Sequence, residues 1–342
     1  MDTQDLVPAE LRAQWVADGH CPGVDLMTLF SRQVERHPDR VALVDDEGSV
    51  TYAELAAEAR RIGAYLHQAG IGAGDVVAIQ FSNIHQACAA DLAVASVGAT
   101  CLAYPILYRH KEVRSLLTRS GAVACLFSRR FRDFDFAEMM TELQGELPGL
   151  RNLAVLGEAA PGCDALDEVL AGPDPGTRPP VVVSPSDPAR IIVTSGTEGE
   201  PKMVLYSHDG IGGGIANVLG AIRPDEDTRF LLLPPLSTGF GALGTYAAIS
   251  RFGVTLVVTS VFDPAGMFKL IERERITHLF GVPTMLGMML DAKPEGVDLS
   301  SLRVVGSFGA AMSEERVRRT IDVFSDTPVA LGGGAGAPAD AA

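Results

Sequence analysis

Positive charge is scarce in this chain. Lys and Arg number 28 against 43 Asp and Glu, giving a formal net charge of −15. That balance disfavours nucleic acid and anionic lipid, which attract basic surfaces through phosphate contacts and counterion release. A local basic pocket can still take one nucleotide. Cysteine is also sparse: Cys21, Cys88, Cys101, Cys125 and Cys163 are odd in number, scattered, and never form C-x-x-C. This argues against a disulfide framework and suits reduced, buried thiols in a cytoplasm. H-E-x-x-H and Cys/His clusters are missing, so zinc is not expected. Long apolar runs are missing too. The longest tempting one, FLLLPPLSTGFGALGTYAAIS at 230–250, is broken by two adjacent prolines and three glycines. It reads as strand, loop and helix rather than a membrane span. The start, MDTQDLVPAEL, is acidic and lacks the charged-then-apolar pattern of a leader.

What is present is ample material for a core. The 342 residues are 47% hydrophobic, which predicts two packed lobes rather than one. VTYAEL at 50–55 contains T-x-x-E, a capping box, with Thr51 as cap. Leu55, Ala59, Ile62 and Leu66 then recur at helical spacing, and Gly70 is placed to end the helix. A strand at 76–81, a helix near 84–96, a strand at 99–104, a helix near 110–120 and a strand at 122–127 follow. Such alternation predicts parallel sheets covered by helices on both faces. Six prolines between 173 and 188 mark a linker or surface crossing. Further strands are expected at 190–194, 229–234, 254–260, 277–282 and 302–307, with helices between them. The clearest helix is 263–276, with Asp263 as cap and Pro264 at its first position.

The strand at 190–194 runs into TSGTEGEPK at 194–202. Such a turn sets hydroxyls and unhindered N–H groups at the carboxyl edge of a parallel sheet, where ligands bind. Gly196 and Gly199 let successive N–H groups converge on an anion, Thr194, Ser195 and Thr197 add donors, and Lys202 adds a mobile charge. It is not a Walker A loop, since Pro201 precedes the lysine and Met203 follows it, and no G-x-S-x-G elbow occurs. The chemistry favours a phosphate loop, and a solvated turn between strand and helix is the plainer alternative.

The stretch TSGTEGEPKMV at 194–204 resembles the phosphate-binding signature of the adenylate-forming superfamily, which includes acyl-CoA synthetases, aryl-acid ligases, peptide-synthetase adenylation domains and luciferases. TYAEL at 51–55, GATCLAYP at 98–105, DPAGMFKLIERERITHLFGVPTM at 263–285 and SFGAAMS at 307–313 resemble further family motifs in order and spacing. Together they cover residues 24–336. The resemblance implies an α/β fold of two doubly wound, mostly parallel sheets with helices on both faces. The expected division is 71–209 for one subdomain, 24–70 plus 210–336 for the other, and a frayed tail at 337–342. The implied reaction joins a carboxylic acid to AMP from MgATP, then passes the acyl group to a thiol of CoA or a carrier pantetheine. It implies that Thr194, Ser195, Gly196, Thr197, Gly199 and Lys202 hold the β- and γ-phosphates, with Thr194 and Lys202 catalytic. Gly309, Ala310 and Ala311 would line the adenine and acyl pocket. Ser237, Thr238, Gly239, Phe240 and Gly241 would form the acyl-side loop, with His208 near the substrate.

The chain departs from the family pattern in three places. Where relatives carry Y-G-x-T-E, residues 332–337 read GGGAGA, without ring, hydroxyl or the magnesium-binding carboxylate. A Mg²⁺ site there is expected to be weak or lost. The family's barrel-like subdomain and mobile C-terminal α+β domain, with its lysine, are not in the sequence. The acyl-side loop also lacks the aspartate that holds an α-amino group, which disfavours amino acids. The expectation is a truncated, impaired nucleotide-binding lobe of an acid ligase, acting on an aromatic, alicyclic or medium-chain acid. A carrier protein or a separately encoded C-terminal domain is a conceivable partner. Two alternatives stay open: a non-catalytic nucleotide-binding pseudoenzyme, and adenylation of another oxyanion such as nitrite. Individual residues have plainer readings as well. His208 and His278 can be structural, Phe240 can be core, Glu198 is expected to face water, and the basic run SRRFRDF at 128–134 is expected to be a solvated face.

Overall fold

The computed structural model describes residues 7–176, 181–194, 201–324 and 329–331. Two seven-stranded sheets carry the molecule. In space the first runs Lys202–Ser207, Pro188–Thr194, Thr100–Ala103, Val76–Gln80, Ala124–Ser128, Asn152–Leu156, Asp164–Ala165. The second runs Val329–Leu331, Val304–Ser307, His278–Gly281, Arg229–Leu232, Thr255–Val257, Val41–Val44, Ser49–Thr51. Among the described residues each sheet is parallel except for one antiparallel edge pair. The expected α/β fold with two mostly parallel sheets is therefore the one observed.

Strand alternation explains the layering. In Val76–Gln80, Val77 and Ile79 face a core that holds residues of both sheets, while Val76 and Ala78 face helices His110–Ser120 and Phe136–Glu146. In the second sheet Phe230 and Leu232 join the shared core, and Leu231 and Leu233 pack toward helices Pro264–Arg273 and Pro283–Asp291. Strands buried on both faces read as continuous apolar runs, which is why they are visible in the sequence. The shared middle layer contains helices Leu26–Arg36, Tyr52–Gln68 and His85–Ser96 and the π-helical segment Gly244–Arg251. Among the described residues no helix is long and apolar enough to cross a membrane.

Local signals hold at several ends. The Thr51 side chain accepts from the Glu54 N–H at 3.2 Å and Glu54 accepts from the Thr51 N–H at 2.8 Å, so the capping box forms. Gly70, at φ +71°, follows that helix. Asp263 sits at the expected cap position, but its side chain makes no capping hydrogen bond; Pro264 starts the helix alone. Between the strands expected at 190–194 and 229–234 the chain first forms the antiparallel strand Lys202–Ser207, and helical structure begins only with a π-helical turn at Gly210–Ile215. The basic run forms a small hairpin, Arg130–Phe131 with Phe134–Asp135, in which Arg129 and Arg130 both pair with Asp135.

Candidate active site

Strand Pro188–Thr194 returns through residues 195–201 into Lys202–Ser207, with Thr194 opposite Lys202 in the ladder. Ser195, Gly196, Thr197, Glu198 and Gly199 lie outside the described residues. Thr194 and Lys202 frame the loop from either side, and both are exposed. On the return limb, the Arg119 guanidinium, from helix His110–Ser120, donates to the Pro201 carbonyl at 2.7 Å. No local signal marks Arg119 in the sequence, because its partner is a backbone oxygen far along the chain.

The acyl-side loop leaves strand Arg229–Leu232 and folds tightly on itself. The Thr238 N–H and hydroxyl both donate to the Pro235 carbonyl, at 3.0 and 2.8 Å, and the Gly241 N–H donates to the Thr238 hydroxyl at 2.9 Å. A Cβ at Gly241 would lie 1.8 Å from the Pro235 oxygen, so only glycine fits. Gly239 faces the first sheet: a Cβ there would meet Ile192 Cγ2 at 2.9 Å. Phe240 reaches the second sheet, its ring centroid 5.4 Å from Phe308 and 6.3 Å from Phe280. Phe280 and Phe308 stack at 5.2 Å with 5° between planes. Phe308 leads into Gly309, whose φ of +91° favours glycine, and Gly309, Ala310 and Ala311 are exposed. One five-residue loop thus touches both the strand that enters the glycine-rich turn and the segment that enters the small-residue turn. Ser237 is buried, and its hydroxyl oxygen has no partner.

His208 follows the strand that begins at Lys202, roughly 20 Å from that lysine at about 3.3 Å per residue. It is buried, and its Nδ1 accepts the Leu26 N–H at 3.3 Å. Burial pushes its pKa below the ordinary value, so the ring is neutral. That geometry ties the start of helix Leu26–Arg36 to the edge strand. His278 is buried with its Nδ1 2.8 Å from the Thr277 hydroxyl, and burial pushes its pKa down to about 4.

The fold is of the open parallel α/β class, in which ligands bind beyond the carboxyl ends of the strands. A family model described as AMP-binding enzyme matches residues 30–335, and the chain belongs to that family. The chain is 28% identical, over 334 residues, to 2-hydroxy-7-methoxy-5-methyl-1-naphthoate–CoA ligase of Streptomyces carzinostaticus, covering 92% of this chain and 58% of that protein. It is 28% identical, over 318 residues, to vibriobactin-specific 2,3-dihydroxybenzoate-AMP ligase of Vibrio cholerae, covering 91% of this chain and 58% of that protein. Among solved structures, apo MbtA of Mycobacterium smegmatis superposes with a TM-score of 0.83 at 24% identity, over 95% of this chain and 60% of that one. This last likeness shows the fold. The chain therefore spans 58% of the length of both curated relatives.

Proposed function

We propose that this chain is the nucleotide- and acid-binding lobe of an AMP-forming acid ligase. The observation that carries the reading is the meeting of three segments: Gly239 packs on Ile192, below the glycine-rich loop, while Phe240 packs on Phe308, beside Gly309. In the proposed reaction an acid oxygen attacks the α-phosphorus of ATP and pyrophosphate leaves. A thiol of CoA or a carrier pantetheine then displaces AMP from the acyl group. Thr194 and Lys202, with Ser195, Gly196, Thr197 and Gly199, would hold the outer phosphates, and catalysis is mainly positioning and charge stabilisation. Gly309, Ala310 and Ala311 present exposed backbone with little side chain, which suits a flat base. Ser237, Thr238, Gly239, Phe240 and Gly241 would face the acid.

The residues fit ATP better than they fit a protein-ligated magnesium. Residues 332–337 carry no carboxylate, and among the described residues no three His, Cys, Asp or Glu side chains gather as a metal site. Magnesium is therefore carried in this reading by the nucleotide's own phosphates. The Phe240, Phe280 and Phe308 rings support an aromatic or other apolar acid, as do the aromatic acids in the names of the two relatives. The two sheets support a division at 71–209 and 24–70 plus 210–336. Five unpaired cysteines, four of them buried, support a reducing, cytoplasmic setting.

The missing carboxylate at 332–337 favours one second reading, a lobe that binds nucleotide without turning it over. ATP–pyrophosphate exchange with aromatic, alicyclic and medium-chain acids and with nitrite, beside calorimetry with MgATP, separates them. Exchange dependent on an apolar acid supports the ligase. MgATP binding without exchange supports the second reading, and no MgATP binding refutes both.

A further inference from the structure

Beneath the acyl-side loop lies a charged pair that the reaction does not explain. Arg190, in strand Pro188–Thr194, and Asp91, in helix His85–Ser96, are 2% and 3% exposed. They form an ion pair between Arg190 Nη1 and Asp91 Oδ2. The other prong, Nη2, donates to the Leu236 carbonyl at 2.7 Å, and the Leu236 N–H donates to Asn83 Oδ1 at 2.9 Å. The backbone on both sides of Leu236 is thus gripped by side chains from the first-sheet half of the chain. Arg190 Nε and Ser237 Oγ have no partner, and both residues line a cavity of about 10 Å³ together with Asp91 and Thr245.

A buried ion pair roughly breaks even against apolar residues of the same volume, so stability does not account for it. Its geometry does more. Arg190 stands four positions before Thr194, on the strand that enters the phosphate loop, and it holds the residue that opens the acyl-side loop. We propose that Arg190 is a positioning residue that locks the acyl-side loop, through the Leu236 carbonyl, to the strand carrying the phosphate loop, with Asp91 aiming the guanidinium. The consequence for acid binding rests on the ligase reading above; the locking itself does not.

The test is the paired change Asp91→Leu with Arg190→Met in the full chain, which removes both charges and strands neither. Arg190→Lys, which keeps the charge but loses the fork, is the second variant should the pair fail to fold. Amide hydrogen exchange across 236–244 is expected to quicken about tenfold, while strands Val76–Gln80 and Thr100–Ala103 keep their protection. Acid KM in pyrophosphate exchange is expected to rise about tenfold, with ATP KM within about twofold. Unchanged loop exchange, or equal quickening everywhere, overturns the proposal. A loosened loop with unchanged acid KM upholds the lock and overturns its consequence for acid binding. A parent chain inactive with every acid sinks the ligase reading instead, and loop exchange then decides the lock alone.

Discussion

Gly241→Ala puts the acyl-side loop to its hardest test. The new Cβ would lie 1.8 Å from the Pro235 oxygen, 2.5 Å from its carbonyl carbon and 2.6 Å from Leu236 Cα, whereas real Cβ contacts essentially never fall under 3.0 Å. All three obstacles are backbone, so no rotamer change relieves them, and the loop must open by more than an ångström. Opening separates the Pro235 carbonyl from the two Thr238 donors and strains the Gly241 to Thr238 bond. At about 1 kcal/mol for each bond, the loss is about 3 kcal/mol. With an unfolding entropy of about 2.1 cal/mol/K per residue, the midpoint falls by roughly 4 °C. A displacement of this size beside the acid lowers kcat/KM on the order of a hundredfold. Gly239→Ala is the milder comparison, because its Cβ would meet side-chain atoms of Ile192 alone, the nearer at 2.9 Å, and no backbone, so a smaller loss is expected. Scanning calorimetry and acid-dependent pyrophosphate exchange read both variants. An unshifted midpoint with full activity for Gly241→Ala would refute the loop geometry and the role built on it.

Three further outcomes are expected. Lys202→Ala, at an exposed site, leaves the midpoint within about 1 °C but weakens MgATP about tenfold or more by calorimetry. His278 is neutral in the fold, with a pKa of about 4, while the unfolded chain takes up the proton near the ordinary value of about 6.5. Its contribution is whole above about pH 6.5, falls as pH drops through the window down to about 4, and totals about 3 kcal/mol. Urea unfolding at pH 7 and pH 5 therefore shows a smaller loss for His278→Gln than for the parent. Thr51→Ala removes the hydroxyl that accepts the Glu54 N–H, keeps the backbone arm from the residue 51 N–H to Glu54, and costs about 1 kcal/mol in the same assay.

The parts of the molecule that the sequence disclosed are those whose signals are local. Helix His110–Ser120 and the core strands could be read directly, because apolar runs and capping residues act over a few positions. Strand Lys202–Ser207 was hidden because its ladder partner, and not its own KMVLYS pattern, makes it a strand. The π-helical turn Gly210–Ile215 is built on GIGGGI, which has little helical propensity. At the site, the residue types were legible and their meeting was not. Gly239 on Ile192, Phe240 on Phe308 and Arg119 on Pro201 are contacts between distant segments. Arg190 looked like the polar start of a strand, and only Asp91 across the core shows it to be interior.

The strand order has a consequence for how the chain is made. Val41–Val44 is synthesised early, yet it lies inside the second sheet, where Leu43 pairs with Leu256. At roughly 5–20 residues per second, that strand leaves the ribosome about ten to forty seconds before its inner partner exists. The first sheet, drawn wholly from 76–207, can close in the interval. A nascent Val-Ala-Leu-Val edge is meanwhile held open, shielded only by its antiparallel neighbour Ser49–Thr51 and the helix that follows. Slowing translation after residue 207 lengthens that exposure, so yield in the cell depends on elongation rate and chaperone supply as well as on the stability of the finished protein.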